Sequence, residues 1–306
     1  MKTVLITGIA GFIGSHLAKR CIAEGFRVVG VDDLSQGVEG NIPKEAEFIF
    51  GNLSSHKTIC KIPTDCDFVL HLAGQSSGEI SFDDPVLDLN KNVITTLNLI
   101  NFSIKNKVKK FIYASSMSVY GNVPDRPINE HHHKLPLSCY GVGKLAAEGY
   151  LEVFKKNLPY ISLRMFNVYG PGQDLSNIRQ GMVSIFVSQA IRDGKIIVKG
   201  SSERYRDFIY IDDVVNSWFS SMVSSKIKNK SINIGTGVRT SVGDLLDKIC
   251  NLIPNATYNN QGTTPGDQNG IFADVTLLKN ELLCEPQINL DVGLKKFIDW
   301  AKLNIY

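Results

Sequence analysis

A chain of 306 residues, 43% of them hydrophobic, can close a full core, so disorder is not the expectation. Its 33 Lys and Arg against 30 Asp and Glu leave a net charge of +3, too small and too evenly spread to argue for nucleic acid or a membrane surface as partner. A small soluble ligand fits better, and six scattered cysteines with no CxxC pair read as reduced thiols of a cytoplasmic enzyme.

The first apolar run, Met1 to Thr7, passes straight into a glycine turn without a cleavage site and reads as a buried strand. No run approaches the roughly 20 apolar residues of a membrane helix. In Thr7-Gly8-Ile9-Ala10-Gly11-Phe12-Ile13-Gly14, Gly8 allows a tight turn, Gly11 lets the backbone approach a pyrophosphate and Gly14 lets the next helix pack closely on the strand. Phe12 and Ile13 open that helix, predicted over Ile13 to Glu24, whose free N–H groups face phosphates. The strand Val28 to Val31 ends at Asp32, where a carboxylate accepts from an adenosine ribose diol and repels a 2′-phosphate, favouring NAD over NADP. Asp33 beside it reads as a turn residue at the edge of that site. After the strand Phe48 to Phe50, Asn52 is placed to meet the adenine edge, with a plain loop role as the alternative.

Strands at Phe68 to Leu72, Phe111 to Ala114 and Ile161 to Arg164 alternate with helices predicted at Asn90 to Lys105 and Tyr140 to Lys156. This is the pattern of an α/β Rossmann fold, a doubly wound parallel sheet with ligands at the carboxyl ends of its strands. Ser115 and Ser116 fall at that edge, where one hydroxyl binds the reacting oxygen. His131, His132 and His133 lie in a loop between Pro127 and Pro136 without a Cys or carboxylate at ligand spacing, so no metal is expected. Tyr140 and Lys144, four apart, share one helix face; an ammonium beside a phenol favours the ionised form, and a phenolate takes a proton from an alcohol as hydride leaves the adjacent carbon. Beyond Gly170-Pro171-Gly172 the alternation becomes irregular. Residues 1–170 are therefore read as the cofactor-binding domain and 171–306 as a smaller mixed substrate lobe, with 207–236 (a helix near Phe208 to Met222, then a strand at Ile232 to Gly235) returning to the sheet.

Together these segments carry a resemblance. Thr7 to Gly14 matches TGxxGFIG, Val31 to Ser35 matches VDNLS, His71 to Gly74 matches HLAA, Ser115 to Gly121 matches SSxxVYG, Tyr140 to Lys144 matches YxxSK, Leu163 to Pro171 matches LRxFNVYGP, and Arg206 to Asp213 matches RDFxxVDD. From Met1 to about Asp274 the chain resembles the extended short-chain dehydrogenase/reductase family, and within it the nucleotide-sugar epimerases and dehydratases. The resemblance implies Ser116, Tyr140 and Lys144 as catalytic residues. It implies NAD held by the glycine turn, Asp32, Asp33, Asn52, Leu53, Leu72, Ala73, Gly74 and Asn92, with Tyr140 and Lys144 at the nicotinamide ribose. A nucleotide-diphosphate sugar, by preference a UDP-sugar, is implied at Ser116, Asn167, Arg206, Asp267 and Ile271.

Met117 and Ser118 stand where the family's dehydratases carry an Asp-Glu pair, so elimination of water is disfavoured, as is the related decarboxylation. What remains is epimerisation at C4 through a transient 4-keto sugar, with a one-way 4-keto reductase or dehydrogenase, or a non-catalytic NAD-binding protein, as alternatives. Gly143 replaces the family's Ser, Asn52 its adenine-binding Asp, and Thr264 a second diphosphate-binding Arg, while Ile271 is intermediate between the residues that exclude and admit N-acetyl sugars. A homodimer built on the helices at Asn90 to Lys105 and Tyr140 to Lys156 is also implied.

Overall fold

A computed structural model describes residues 1–262 and 269–305. Its elements run Thr3–Thr7 (β1), Phe12–Ala23 (α1), Arg27–Asp32 (β2), Glu47–Phe50 (β3), His56–Ile59 (α2), Phe68–His71 (β4), Pro85–Leu89 (α3), Thr95–Lys105 (α4), Lys110–Ser116 (β5), Cys139–Phe154 (α5) and Tyr160–Met165 (β6). They continue through Asn167–Tyr169 (β7), Met182–Asp193 (α6), Lys195–Val198 (β8), Tyr205–Arg206 (β9), Phe208–Tyr210 (β10), Ile211–Val223 (α7), Lys230–Ile234 (β11), Thr240–Ser241 (β12), Val242–Leu252 (α8), Thr257–Asn260 (β13), Thr276–Asn280 (α9) and Leu290–Asn304 (α10).

Seven parallel strands pair in the order β11-β6-β5-β4-β1-β2-β3. The apolar runs forced this outcome. β1 is buried at every position, and its side chains alternate between two cores: Val4 and Ile6 enter one with Leu17 and Leu163, Leu5 the other with Val29, Val69 and Leu99. A strand without a polar face is stable only with helices on both sides. After β3 the chain crosses back over β1 to begin β4, and this switch point opens a crevice at the carboxyl ends of β1 and β4. Among the described residues no helix is long and apolar enough to cross a membrane.

Two predicted helices are redrawn. The one expected over Asn90 to Lys105 begins earlier, at Pro85, because Asp84 accepts from Leu87 N and proline fits the first helical position; it then loosens into a π turn at Asn90–Ile94 before α4. The segment Phe208 to Met222 starts as strand, Phe208–Tyr210 pairing in parallel with β7, and turns helical only at Ile211. Buried Phe, Ile and Tyr in succession suit a covered strand, whereas Asp212 and Asp213 suit a first helical turn. Lys230–Ile234 adds the seventh strand beside β6.

Candidate active site

The glycine turn between β1 and α1 is closed by contacts that tolerate no side chain. Gly8 has φ +71°, and a Cβ on it would lie 2.9 Å from Ala73 N; a Cβ on Gly14 would lie 2.0 Å from the Gly8 carbonyl oxygen. Gly11 caps α1 without a side-chain hydrogen bond, so the first N–H groups of the helix face the crevice unpaired by any cap. At the tip of β2, Asp32 is 8% exposed and accepts from Ala10 N at 3.0 Å and Leu34 N at 2.9 Å, which ties the acidic side chain to the turn and leaves lone pairs for a diol. Burial raises its pKa, and those backbone bonds oppose the shift. These features fit a dinucleotide. Replacing Gly14 by alanine is expected to cost about 1–3 kcal/mol of stability and to strip NAD from the purified protein, as checked by thermal unfolding and by cofactor content.

The other cofactor candidates divide. Asp33 Oδ1 accepts from Ser35 N at 3.0 Å, and Oδ1 of exposed Asn52 accepts from Ser54 N at 2.8 Å. Leu53 is buried in the core beside Val31 and Leu99. Leu72 and Ala73 donate their N–H groups to Thr7 Oγ1, both at 3.1 Å. With its lone pairs so occupied, Thr7 gives its proton to His71 Nδ1 at 2.7 Å, and His71 Nε2–H then donates to Thr96 Oγ1 at 3.0 Å. Burial, helped by Lys144, takes His71 down to about 3, so it stays neutral and holds the backbone up to Gly74 in place. Asn92, 1% exposed in the π turn, presents an Oδ1 that has no hydrogen-bond partner among the described residues. A buried, unsatisfied acceptor at a π turn marks a functional position.

Strand alternation separates the two serines at the end of β5. Ser115, 1% exposed, donates to Glu148 in the core behind the sheet edge. Ser116 faces the other way and is bonded to Ser118, accepting from its N at 3.1 Å and donating to its Oγ at 3.2 Å. Tyr140 and Lys144 enter from α5, capped by Ser138, and are 9% and 4% exposed. Lys144 Nζ stands 5.5 Å from the Tyr140 ring centroid and 5.1 Å from that of Tyr113, and would lie 3.6 Å from a Cβ on Gly74. The three residues and Gly74 thus meet at one point of the crevice.

One expectation is corrected. The protein by itself does not lower the phenol's pKa: desolvation pushes Tyr140 up to about 12, and the Ser116 hydroxyl only partly offsets it. The same burial brings Lys144 down to about 8, against the attraction of Asp88. In a low-dielectric site the cost of carrying charge dominates both groups.

On the substrate side, Asn167 turns its amide inward, to Met117 Sδ at 3.6 Å and Asp207 O at 3.3 Å. Arg206 is 3% exposed and donates to Tyr205 O at 2.8 Å. Asp207 and Asp213, part of the same motif, are structural: Asp207 accepts from Thr236, Gly237 and Ala273, and Asp213 from Gln287 and Ile288. Ile271 has no exposed surface and belongs to an apolar cluster with Val119, Tyr120, Ile128 and Phe166 that Met117 joins. Thr264 and Asp267 lie outside the described residues. Reading the sequence missed Asp88, Gln75 and Glu148. The positions four before Asn92 and four after Lys144 were the available signal, since such neighbours share a helix face.

Residues 4–235 match the NAD dependent epimerase/dehydratase family. The UDP-glucose 4-epimerase of Mycolicibacterium smegmatis is 33% identical over 314 residues, 99% of each chain. The crystal structure of UDP-glucose 4-epimerase with UDP-glucose from Thermotoga maritima is similar to this one with a TM-score of 0.95 and 35% identity, covering 99% of this chain and 100% of that one. A UDP-N-acetylglucosamine 4-epimerase from Methanobrevibacter ruminantium, in complex with UDP-N-acetylmuramic acid, gives 0.93 and 29%, covering 99% of each.

Proposed function

The chain belongs to the NAD dependent epimerase/dehydratase family, and we propose that within it the protein inverts C4 of a UDP-sugar, UDP-glucose and UDP-galactose or their N-acetyl forms, through a transient 4-keto sugar. The observation that carries this reading is the meeting of Ser116, Tyr140 and Lys144 beside Gly74, with Met117 and Ser118 where an eliminating enzyme needs an acid and a base. The glycine turn and Asp32 would hold NAD, which when bound would supply the hydride acceptor and donor and a positive charge near the buried phenol. Tyr140 takes the C4 hydroxyl proton and returns it once the keto sugar has turned over. Ser116 holds the reacting oxygen, and Lys144 orients the nicotinamide ribose. Arg206 suits the diphosphate through its planar fork, and Asn167 the sugar, once its amide leaves Met117. Residues 1–170 with 207–236 serve the cofactor and 171–306 the sugar nucleotide.

Purified protein incubated without added cofactor with UDP-glucose, UDP-galactose and the N-acetyl pair is expected to interconvert C4 epimers. A strict need for added NADH would replace this reading by the 4-keto reductase.

A homodimer is part of the same proposal. Val86 and Leu89 on α3 are 68% and 49% exposed and Val142 and Val153 on α5 54% and 74%, and Leu89 and Val142 line a hollow of about 430 Å³ with Phe82, Pro85, Pro136 and Leu137. Such a surface is covered by a partner in solution. Val153→Asp is expected to convert dimers to monomers in sedimentation equilibrium, and a wild-type monomer at micromolar concentration would exclude the dimer. A cytoplasmic setting is consistent with six unpaired cysteines.

A further inference from the structure

Asp88 is a carboxylate with 2% of its surface exposed, set behind the reacting groups and not among them. Its Oδ1 accepts from Gln75 Nε2 at 2.9 Å and from Asn92 Nδ2 at 3.1 Å. An ionised carboxylate only accepts, so the Asn92 amide is committed: its NH₂ turns to Asp88 and its Oδ1 turns away. The oxygen so aimed is the buried, unpartnered one, and a Cβ on Gly74 would lie 2.5 Å from it and 3.6 Å from Lys144 Nζ. Asn92 Oδ1 and the ammonium therefore flank the same glycine. On its other side, Asp88 Oδ2 would lie 3.4 Å from a Cβ on Gly143, and Asn92 Cβ 3.3 Å. The absence of a side chain at Gly143 lets the turn of α5 that carries Tyr140 and Lys144 settle directly against the carboxylate.

We propose that Asp88 is a positioning residue for the Tyr140–Lys144 pair: it holds Asn92 Oδ1 toward Gly74 and Lys144, and its charge sets the pH range over which the pair works. The proposal rests on the reading of Tyr140 and Lys144 as the reacting pair. Lys144 is faced by His71 from β4, by Tyr113 from β5, by Tyr140 from its own helix and by Asp88 from α3. His71 is neutral, so Asp88 is the carboxylate that acts on the ammonium. Burial resists the ionised form of Asp88, and Asn92, Lys144 and Gln75 favour it. Its negative charge supports the ammonium and opposes the phenolate, so both Lys144 and Tyr140 give up their protons at higher pH than they would without it. Neutralising Asp88 must move both titrations down together, which displaces the pH profile without changing its shape.

Asp88→Asn keeps the volume and an acceptor for Asn92 and removes the charge. The kcat profile against pH is expected to move to lower pH by about one unit. NAD retained per subunit after gel filtration, measured across the same pH range, should fall off at correspondingly lower pH. Asp88→Ser, which removes the same charge with less volume, should give a displacement in the same direction and keeps the test available if Asp88→Asn does not fold. A lower kcat or lower melting temperature with both profiles unmoved would make Asp88 a packing residue and end the proposal. Cofactor retention needs no sugar, so a wild-type protein inactive on every UDP-sugar would sink the epimerase reading and leave this test standing.

Discussion

Tyr140→Phe is expected to lower kcat by about 10²–10⁴ while leaving the fold, the melting temperature and the bound NAD nearly unchanged. The ring is held by its surroundings and not by its hydroxyl, being 9% exposed on the inner face of α5, so phenylalanine occupies the same space. What disappears is the one group able to take the C4 proton: Ser116 is bonded to Ser118, and Lys144 carries a proton of its own at neutral pH, since its pKa stands at about 8. Burial, only partly offset by the Ser116 hydroxyl, puts the phenol at about 12, so a rate near neutrality would call for further positive charge such as a bound nicotinamide would supply. Activity should rise with pH as the phenol ionises. In the phenylalanine variant the residual rate should lose its rising limb. Unchanged kcat in a variant that retains NAD would remove Tyr140 from the chemistry.

The second large effect is on stability. Glu148 and Arg164 form a bidentate pair, Nε to Oε1 at 2.9 Å and Nη2 to Oε2 at 2.6 Å, with side chains 8% and 4% exposed. Ser115 and Ser231 also donate to Glu148, while Arg164 reaches Tyr120 Oη and Glu130 O, both at 3.0 Å. Three neighbouring strands, β5, β6 and β11, are tied to the catalytic helix in this way. Glu148→Ala is expected to cost about 3–5 kcal/mol in urea unfolding at pH 7, because it strands a guanidinium that cannot give up its proton. Replacing both partners by methionine should recover part of that loss, since the pair's desolvation penalty disappears with it. A double variant as unstable as the sum of the two single ones would mean the two charges act independently.

What reading the chain delivers is uneven for physical reasons. The strands were legible because doubly covered β-structure needs unbroken apolar runs, and the cofactor turn because three glycines meet backbone at 2.0–3.2 Å. Ser116, Tyr140 and Lys144 were legible through spacing, since helix and strand periodicity place them on one edge. Less legible was where helices begin: Asp84 and Pro85 start α3 ahead of the periodic stretch, and Phe208–Tyr210 pairs with β7 across a long separation. The facing of β5, which sends Ser115 to Glu148 in the core, and the full burial of Ile271 came only from packing.

By itself, then, the sequence determined the parallel sheet, the glycine turn and the spacing that brings Ser116, Tyr140 and Lys144 to one edge, because each follows from local pattern and chain direction. Only the tertiary structure decided how charge is distributed around them. The phenol's pKa, the orientation of Asn92 and the roles of Asp88 and Glu148 depend on burial and on partners 4 to 83 residues away in the chain. Desolvation and hydrogen-bond satisfaction are set by everything packed around a group, and no window along the chain contains that information.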